Sequence, residues 1–294
     1  MGILLGLGTA LSWGVSDFLA RFATRRIGTL RTTFYMQATG FLILSYFLFH
    51  FRAWGHLFDG SGWRPWAWGV LAGGMNACST LSLYRSFEVG RLAVVAPISA
   101  SYPALTMALA MLTGERLTAA RAAGIALTVF GVILVATGEP ASGNGSADEG
   151  AREQGKRGAG ILWALLAALE FGVLFWVLGI RVVPRTGPYA AVWMIRLTSM
   201  LATGAVLAFQ RRRIALQKGP VAWQLWGMGI LDTGAFVMNN RGMQLEQVSV
   251  VTVLSSLYGA VTVGLAALVL RERLHGRQWA GIAAIFAGIY LISR

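Results

Sequence analysis

Apolar residues run along this chain in long unbroken stretches, separated by short polar breaks. A helix needs about 20 mostly apolar residues to cross a hydrocarbon core about 30 Å thick. Stretches of that kind lie near 3–22, 32–50, 66–86, 92–112, 121–138, 159–180, 189–209, 222–242, 248–270 and 277–292. They are continuous rather than alternating, which selects helices over the strands of a barrel; lipid also leaves no partner for unpaired backbone groups. The pattern predicts an all-α integral membrane protein with ten transmembrane helices.

The one long polar stretch, Glu139 to Arg157, is rich in Gly, Ser, Asp and Glu and reads as a flexible linker. It divides the chain into a first five-helix repeat (1–138), the linker (139–157) and a second five-helix repeat (158–294). The halves align. Ala10-Leu11-Ser12-Trp13-Gly14-Val15 matches Ala168-Leu169-Glu170-Phe171-Gly172-Val173, and Val94-Val95 matches Val250-Val251. Ser99, Tyr102, Ala104 and Thr106 match Ser255, Tyr258, Ala260 and Thr262, and Glu115-Arg116-Leu117 matches Glu272-Arg273-Leu274. An odd number of spans per repeat makes the second copy enter from the opposite face. Inverted repeats of this kind are a recurrent plan of secondary transporters, with the binding site near the midplane between the halves. Glycines at 124, 131 and 138, and at 281 and 288, recur every seven residues and predict close packing of the fifth and tenth spans.

Composition fits. Of the residues 56% are hydrophobic and 13% charged, against roughly 25% charged in a soluble domain. The net charge of +13 is spread over short clusters such as Arg25-Arg26 and Arg211-Arg212-Arg213 between apolar runs. That distribution suits loops at a membrane and excludes a nucleic-acid partner. A single cysteine, Cys78, excludes an internal disulfide. His50, His56 and His275 lie at or outside span ends, so neither a metal site nor a cofactor is expected. The same absence of nucleophile–base sets inside the spans argues against an enzyme. The first apolar run is too long for a signal peptide and reads as a retained span.

The sequence resembles the drug/metabolite transporter superfamily, specifically its ten-span EamA-type members. The resemblance rests on Trp13-Gly14, on Gly114-Glu115-Arg116-Leu117, on the glycine-rich fifth span and on the weaker second copy of these features. It implies a carrier in the cell inner membrane with a central cavity, working by alternating access, and with both termini in the cytoplasm. Members export amino acids and other metabolites, or carry vitamins and nucleotide sugars. One departure is that Pro103 has Gly259 as its repeat counterpart, so the two helices need not bend alike.

Charges deep in a bilayer are costly and usually face a cavity or a partner. Glu170, Arg196 and Asp232 sit deep in predicted spans, and their repeat mates Ser12, Gln37 and Asn76 are polar too. These six are candidate substrate-binding or coupling residues, with Glu170 and Asp232 expected to face the cavity and Arg196 beside at least one of them. Glu170 is the candidate proton carrier. Asp17 precedes Arg21 by four residues, which predicts a local salt bridge near the membrane surface. Trp13 and the repeat mates Tyr102 and Tyr258 are candidate cavity residues, whereas Trp54, Trp63, Trp66, Trp68 and Trp223 read as interfacial anchors. Pro97 and Pro103 predict a bend in the fourth span.

The reading is a secondary transporter, in the exporting direction, of small metabolites such as amino acids or amines, in a lipid bilayer, with proton coupling as a candidate mechanism and a monomer or homodimer as the assembly. A carrier or flippase for an anionic or lipid-linked substrate, with Arg196 as its contact, is the alternative. A non-transporting scaffold or sensor is the alternative of another class. The bias of Lys and Arg between loops places both termini outside the cytoplasm, opposite to what the resemblance implies.

Overall fold

A computed structural model describes the chain except residues 113–117, 138–146, 213, 216, 246–250, 252–253, 273 and 293–294. The described residues form helices and their connections, with no strand among them. In chain order these are α1 (Gly2–Ile27), α2 (Thr29–Phe51), α3 (Arg64–Val89), α4 (Leu92–Ser99), α5 (Tyr102–Leu112), α6 (Ala119–Thr137), α7 (Ala147–Val177), α8 (Val183–Thr186), α9 (Pro188–Phe209), α10 (Pro220–Leu245), α11 (Tyr258–Val269) and α12 (Gly276–Ile292). A π-helical turn, Leu178–Val182, joins α7 to α8. Counting α4/α5 and α7/α8 as one span each recovers the ten expected spans.

Among the described residues, six helices are long and apolar enough to cross a membrane. The two long helices missing from that set are α3 and α10. They carry Asn76, Thr80 and Arg85, and Asp232, Asn239, Asn240 and Arg241. Several of these turn inward: Asn76, Thr80, Asn239 and Asn240 are buried.

The packing treats the halves alike. α1 packs on α10 and α3 on α7; α3 packs on α9 and α10 on α2; α1 packs on α11, and α4/α5 on α7. Each of these contacts becomes its partner when one repeat is exchanged for the other. Thr106 donates to the Gly172 carbonyl at 3.0 Å and Thr262 to the Gly14 carbonyl at 3.2 Å, which are the same bond drawn twice. Gly28 (φ 82°) ends α1 and Gly187 (φ 86°) ends α8. Both turns need the left-handed region that only glycine enters freely.

The glycine stripe performs as expected. A Cβ on Gly131 would lie 2.6 Å from the Gly281 carbonyl oxygen, and one on Gly288 would lie 2.6 Å from that of Gly124. Backbone thus meets backbone where α6 crosses α12. Gly138 and the Glu115-Arg116-Leu117 run lie outside the described residues.

Two expectations are corrected. Residues 147–157 of the polar stretch are not linker but the first turns of α7, where Ala, Glu, Gln, Arg and Lys are strong helix formers. The fourth span does break, at Ala100–Ser101, and the ninth breaks at the equivalent Leu257 although Gly259 replaces the proline. The backbone bonds repeat, Ser101 N–H to Ile98 at 3.2 Å and Leu257 N–H to Leu254 at 3.3 Å. The loss of one proline does not remove the interruption. Packing of α4 against the ninth span holds both.

Candidate functional site

A central cavity opens where the repeats meet. It is lined by Trp13 and Asp17 of α1, Thr80, Leu83 and Tyr84 of α3, Tyr102 of α5, Phe171 and Phe175 of α7, Asp232 and Phe236 of α10, and Tyr258 of α11. In this conformation the cavity volume is about 30 Å³, room for little more than a water molecule, so a larger guest requires the walls to part. Four repeat-mate pairs line it: Trp13 with Phe171, Asp17 with Phe175, Thr80 with Phe236, and Tyr102 with Tyr258. A cavity built from matched pairs lies on the axis that relates the halves.

Its walls are aromatic. The Trp13 ring stands edge-on to Phe236, Phe175 and Tyr258, with centroids at 5.2, 5.8 and 5.9 Å. Phe175 stacks on Tyr102 at 4.8 Å. The tyrosine hydroxyls are tied crosswise, Tyr102 to Ser255 and Tyr258 to Ser99, and Tyr84 to Ser16. Each of the first two bonds runs from the break of one repeat to the break of the other, so the two interrupted spans clamp each other at the cavity.

Charge enters from α9 and α10. Arg196 is fully buried, and its Nη2 lies 2.6 Å from Asp232 Oδ2. The approach lacks hydrogen-bond alignment, so the contact is chiefly electrostatic. Arg196 Nη1 donates to Gln37 Oε1 at 2.8 Å, and the guanidinium lies 5.0 Å from the centre of the Phe236 ring. Arg196 thus lies beside one of the two carboxylates, Asp232, and its repeat mate Gln37 joins the pair. Asn76 is close by in the fold, buried, and donates to Ser199 Oγ at 3.2 Å; Ser199 in turn donates to the Gly73 carbonyl.

Glu170 and Ser12 are placed differently from expectation. Neither is among the cavity-lining residues. Glu170 is half-buried on α7, hydrogen-bonded to Ser82 of α3, and Ser12 is half-buried on α1. One residue along a helix turns the side chain by about 100°, and the neighbours Phe171 and Trp13 hold the cavity face.

Asp17 reverses its expectation as well. It is 5% exposed and lines the cavity, while Arg21 turns away. Arg21 donates to the Phe87 and Gly90 carbonyls, at 2.6 Å for Gly90, and pairs with Glu272 at 3.7 Å. Glu272 accepts the N–H groups of Leu92 and Ala93 at 3.3 and 2.8 Å. It caps α4 from the loop after α11, where a carboxylate complements the helix dipole. The signal for Asp17 was present: it follows Trp13 by four residues and shares its helix face.

Trp223, read as an interfacial anchor, is 80% exposed; Trp163 is 36% exposed, and Trp193 donates to Ser45 Oγ at 2.8 Å, neither of them lining the cavity. Among the described residues no group of His, Cys, Asp and Glu is arranged to hold a metal.

Residues 1–137 and 158–294 match the EamA-like transporter family. A solved crystal structure, named only as that of a protein, superposes with a TM-score of 0.69 at 19% identity, over 99% of this chain and 95% of the other. At that identity the likeness shows the fold alone. No protein of curated function matches.

Proposed function

The chain belongs to the EamA-like transporter family, and on that premise we propose that it is a secondary carrier of small organic metabolites, amino acids or amines, in the cell inner membrane. It works by alternating access through the central cavity, with export as its direction. The observation that carries this reading is the cavity itself: an aromatic-walled space lined by matched residues of both repeats, with a buried ion pair at its edge.

Alternating access needs two halves that can exchange roles. Five spans per repeat set the second copy in the opposite sense to the first, and the reciprocal packing of α1 on α10 and α3 on α7 supports that inversion. The crossed bonds between the interrupted spans give a contact that can pivot without losing its partners. The anionic-substrate alternative loses support, because Arg196 is already held by Asp232 and Gln37 and is sealed from the cavity. Proteoliposomes containing the purified protein are expected to accumulate a labelled amino acid or amine when a pH gradient is imposed. Absence of accumulation across a panel of both classes overturns the carrier reading.

A further inference from the structure

We propose that Asp17 is a cation-binding carboxylate that exchanges one proton for one monovalent organic ammonium, held in the aromatic cage of the central cavity. The inference rests on the carrier reading and names the chemistry of its substrate.

The other charged group and the tyrosine hydroxyls that line the cavity have partners of their own. Asp232, on α10, is matched by Arg196 of α9 at 2.6 Å. The hydroxyls of Tyr84, Tyr102 and Tyr258, from α3, α5 and α11, are bonded to serines. From α7 the cavity receives only phenylalanine rings. Arg21, the nearest cation in sequence, is spent on the carbonyls after α3 and on Glu272. Asp17 pairs with no cation among the described residues: it is 5% exposed, and its Oδ2 has no hydrogen-bond partner. A carboxylate withdrawn from water without a counter-charge is strongly disfavoured. It must hold either a proton or a cation.

The walls decide which cation. Aromatic faces attract a positive charge through their quadrupoles, and a desolvated cage of them is a recognised binding mode for quaternary and substituted ammonium groups. A metal ion would ask for a cluster of ligands, and no group of three or more His, Cys, Asp and Glu converges here among the described residues. With Asp232 and Arg196 cancelling, the cavity carries a single negative charge when Asp17 is ionised. One ammonium neutralises it, and so does one proton. Binding both leaves an excess positive charge in the cavity, and binding neither an excess negative one. Exchange is therefore one for one: the ammonium enters, the Asp17 proton leaves to the same aqueous side, and the cavity stays neutral.

Benzyltrimethylammonium tests this directly, since its fixed charge prevents it from crossing or binding as a neutral amine. Binding to the purified full chain is measured by titration calorimetry in two buffers of different ionisation enthalpy, which counts protons released. The expected result at mildly acidic pH is about one proton released per cation bound. Asp17→Asn is expected to bind roughly tenfold more weakly or worse, with no proton release, and Asp17→Glu to keep both. Size-exclusion profiles matching wild type establish that the variants are folded. If wild type fails to bind the probe, or binds it without releasing a proton, or if Asp17→Asn still releases one, the inference is overturned. Its failure is separable from that of the carrier reading. Amino-acid transport by Asp17→Asn with unchanged proton dependence sinks this inference and leaves the carrier standing.

Discussion

Removing one member of the Arg196–Asp232 pair should cost more than removing both. At 2.6 Å and an effective dielectric of about 20, two unit charges attract by about 6 kcal/mol. Much of that is offset by the several kcal/mol needed to withdraw each ion from water. The net worth of the pair is therefore small, but a lone survivor keeps its desolvation cost without the attraction. Asp232→Asn strands a guanidinium with no exposed surface, leaving it Gln37 and the Phe236 face. The expected loss is about 3–5 kcal/mol. Arg196→Gln leaves a carboxylate that retains 13% exposure toward the cavity, so its loss should fall at or below about 3 kcal/mol. The double variant, which buries no charge, should recover much of this and lie within about 1–2 kcal/mol of wild type. Reversible unfolding in mixed detergent micelles gives the double-mutant cycle. Single losses below about 0.5 kcal/mol that add up in the double variant would refute the argument, because contacting charges must couple.

Further predictions follow from the same geometry. Thr106→Val and Thr262→Val each remove one hydrogen bond to a helical carbonyl of the other repeat, at about 0.5–1.5 kcal/mol each; unfolding measurements should find the two losses similar if the repeats are equivalent. Gly288→Ala drives a methyl to within 2.6 Å of the Gly124 carbonyl oxygen and should destabilise by about 1–3 kcal/mol, read as a lower melting temperature in detergent. Glu272→Ala uncaps α4 and removes the ion-pair partner of Arg21, at about 1–2 kcal/mol, with faster amide exchange at Leu92 and Ala93. In the loop after α2, hydrogen bonds from Ser61, and then from His56, hold the Asp59 carboxyl down at about 2. Because the folded value is lowered, the ordering it gives this loop is full above the ordinary carboxylate range and is lost as pH falls toward 2. Ser61→Ala should bring the Asp59 titration back up, as followed by carboxyl NMR.

Hydropathy made the fold legible because every lipid-facing helix must be apolar throughout, and spacing made the α6–α12 contact legible because seven residues return a glycine to the same face. The repeat alignment held down to single bonds, as Thr106 and Thr262 show. What sequence spacing misread was partner choice. The interval from Asp17 to Arg21 suggested a local bridge, yet Arg21 finds carbonyls at the end of α3 and Glu272 nearly the whole chain away, contacts that only the packed bundle creates. The interior depth of Glu170 suggested a cavity residue, although depth along a helix says nothing about facing. Its position beside Phe171, the mate of Trp13, carried the facing information. The cavity phenylalanines at 171, 175 and 236 were silent because an apolar ring reads alike in a core, against lipid or around a ligand.

Alternating access requires that the cavity face each side of the membrane in turn. Thr80 is small, lines the cavity and is 5% exposed, so Thr80→Cys in a Cys78→Ser background places one thiol there. Labelling by a membrane-impermeant maleimide from each side of oriented vesicles reads access directly, without knowledge of the substrate. The expected result is labelling from both sides, slowed on both by benzyltrimethylammonium. Labelling from one side only, at any benzyltrimethylammonium concentration, would contradict it.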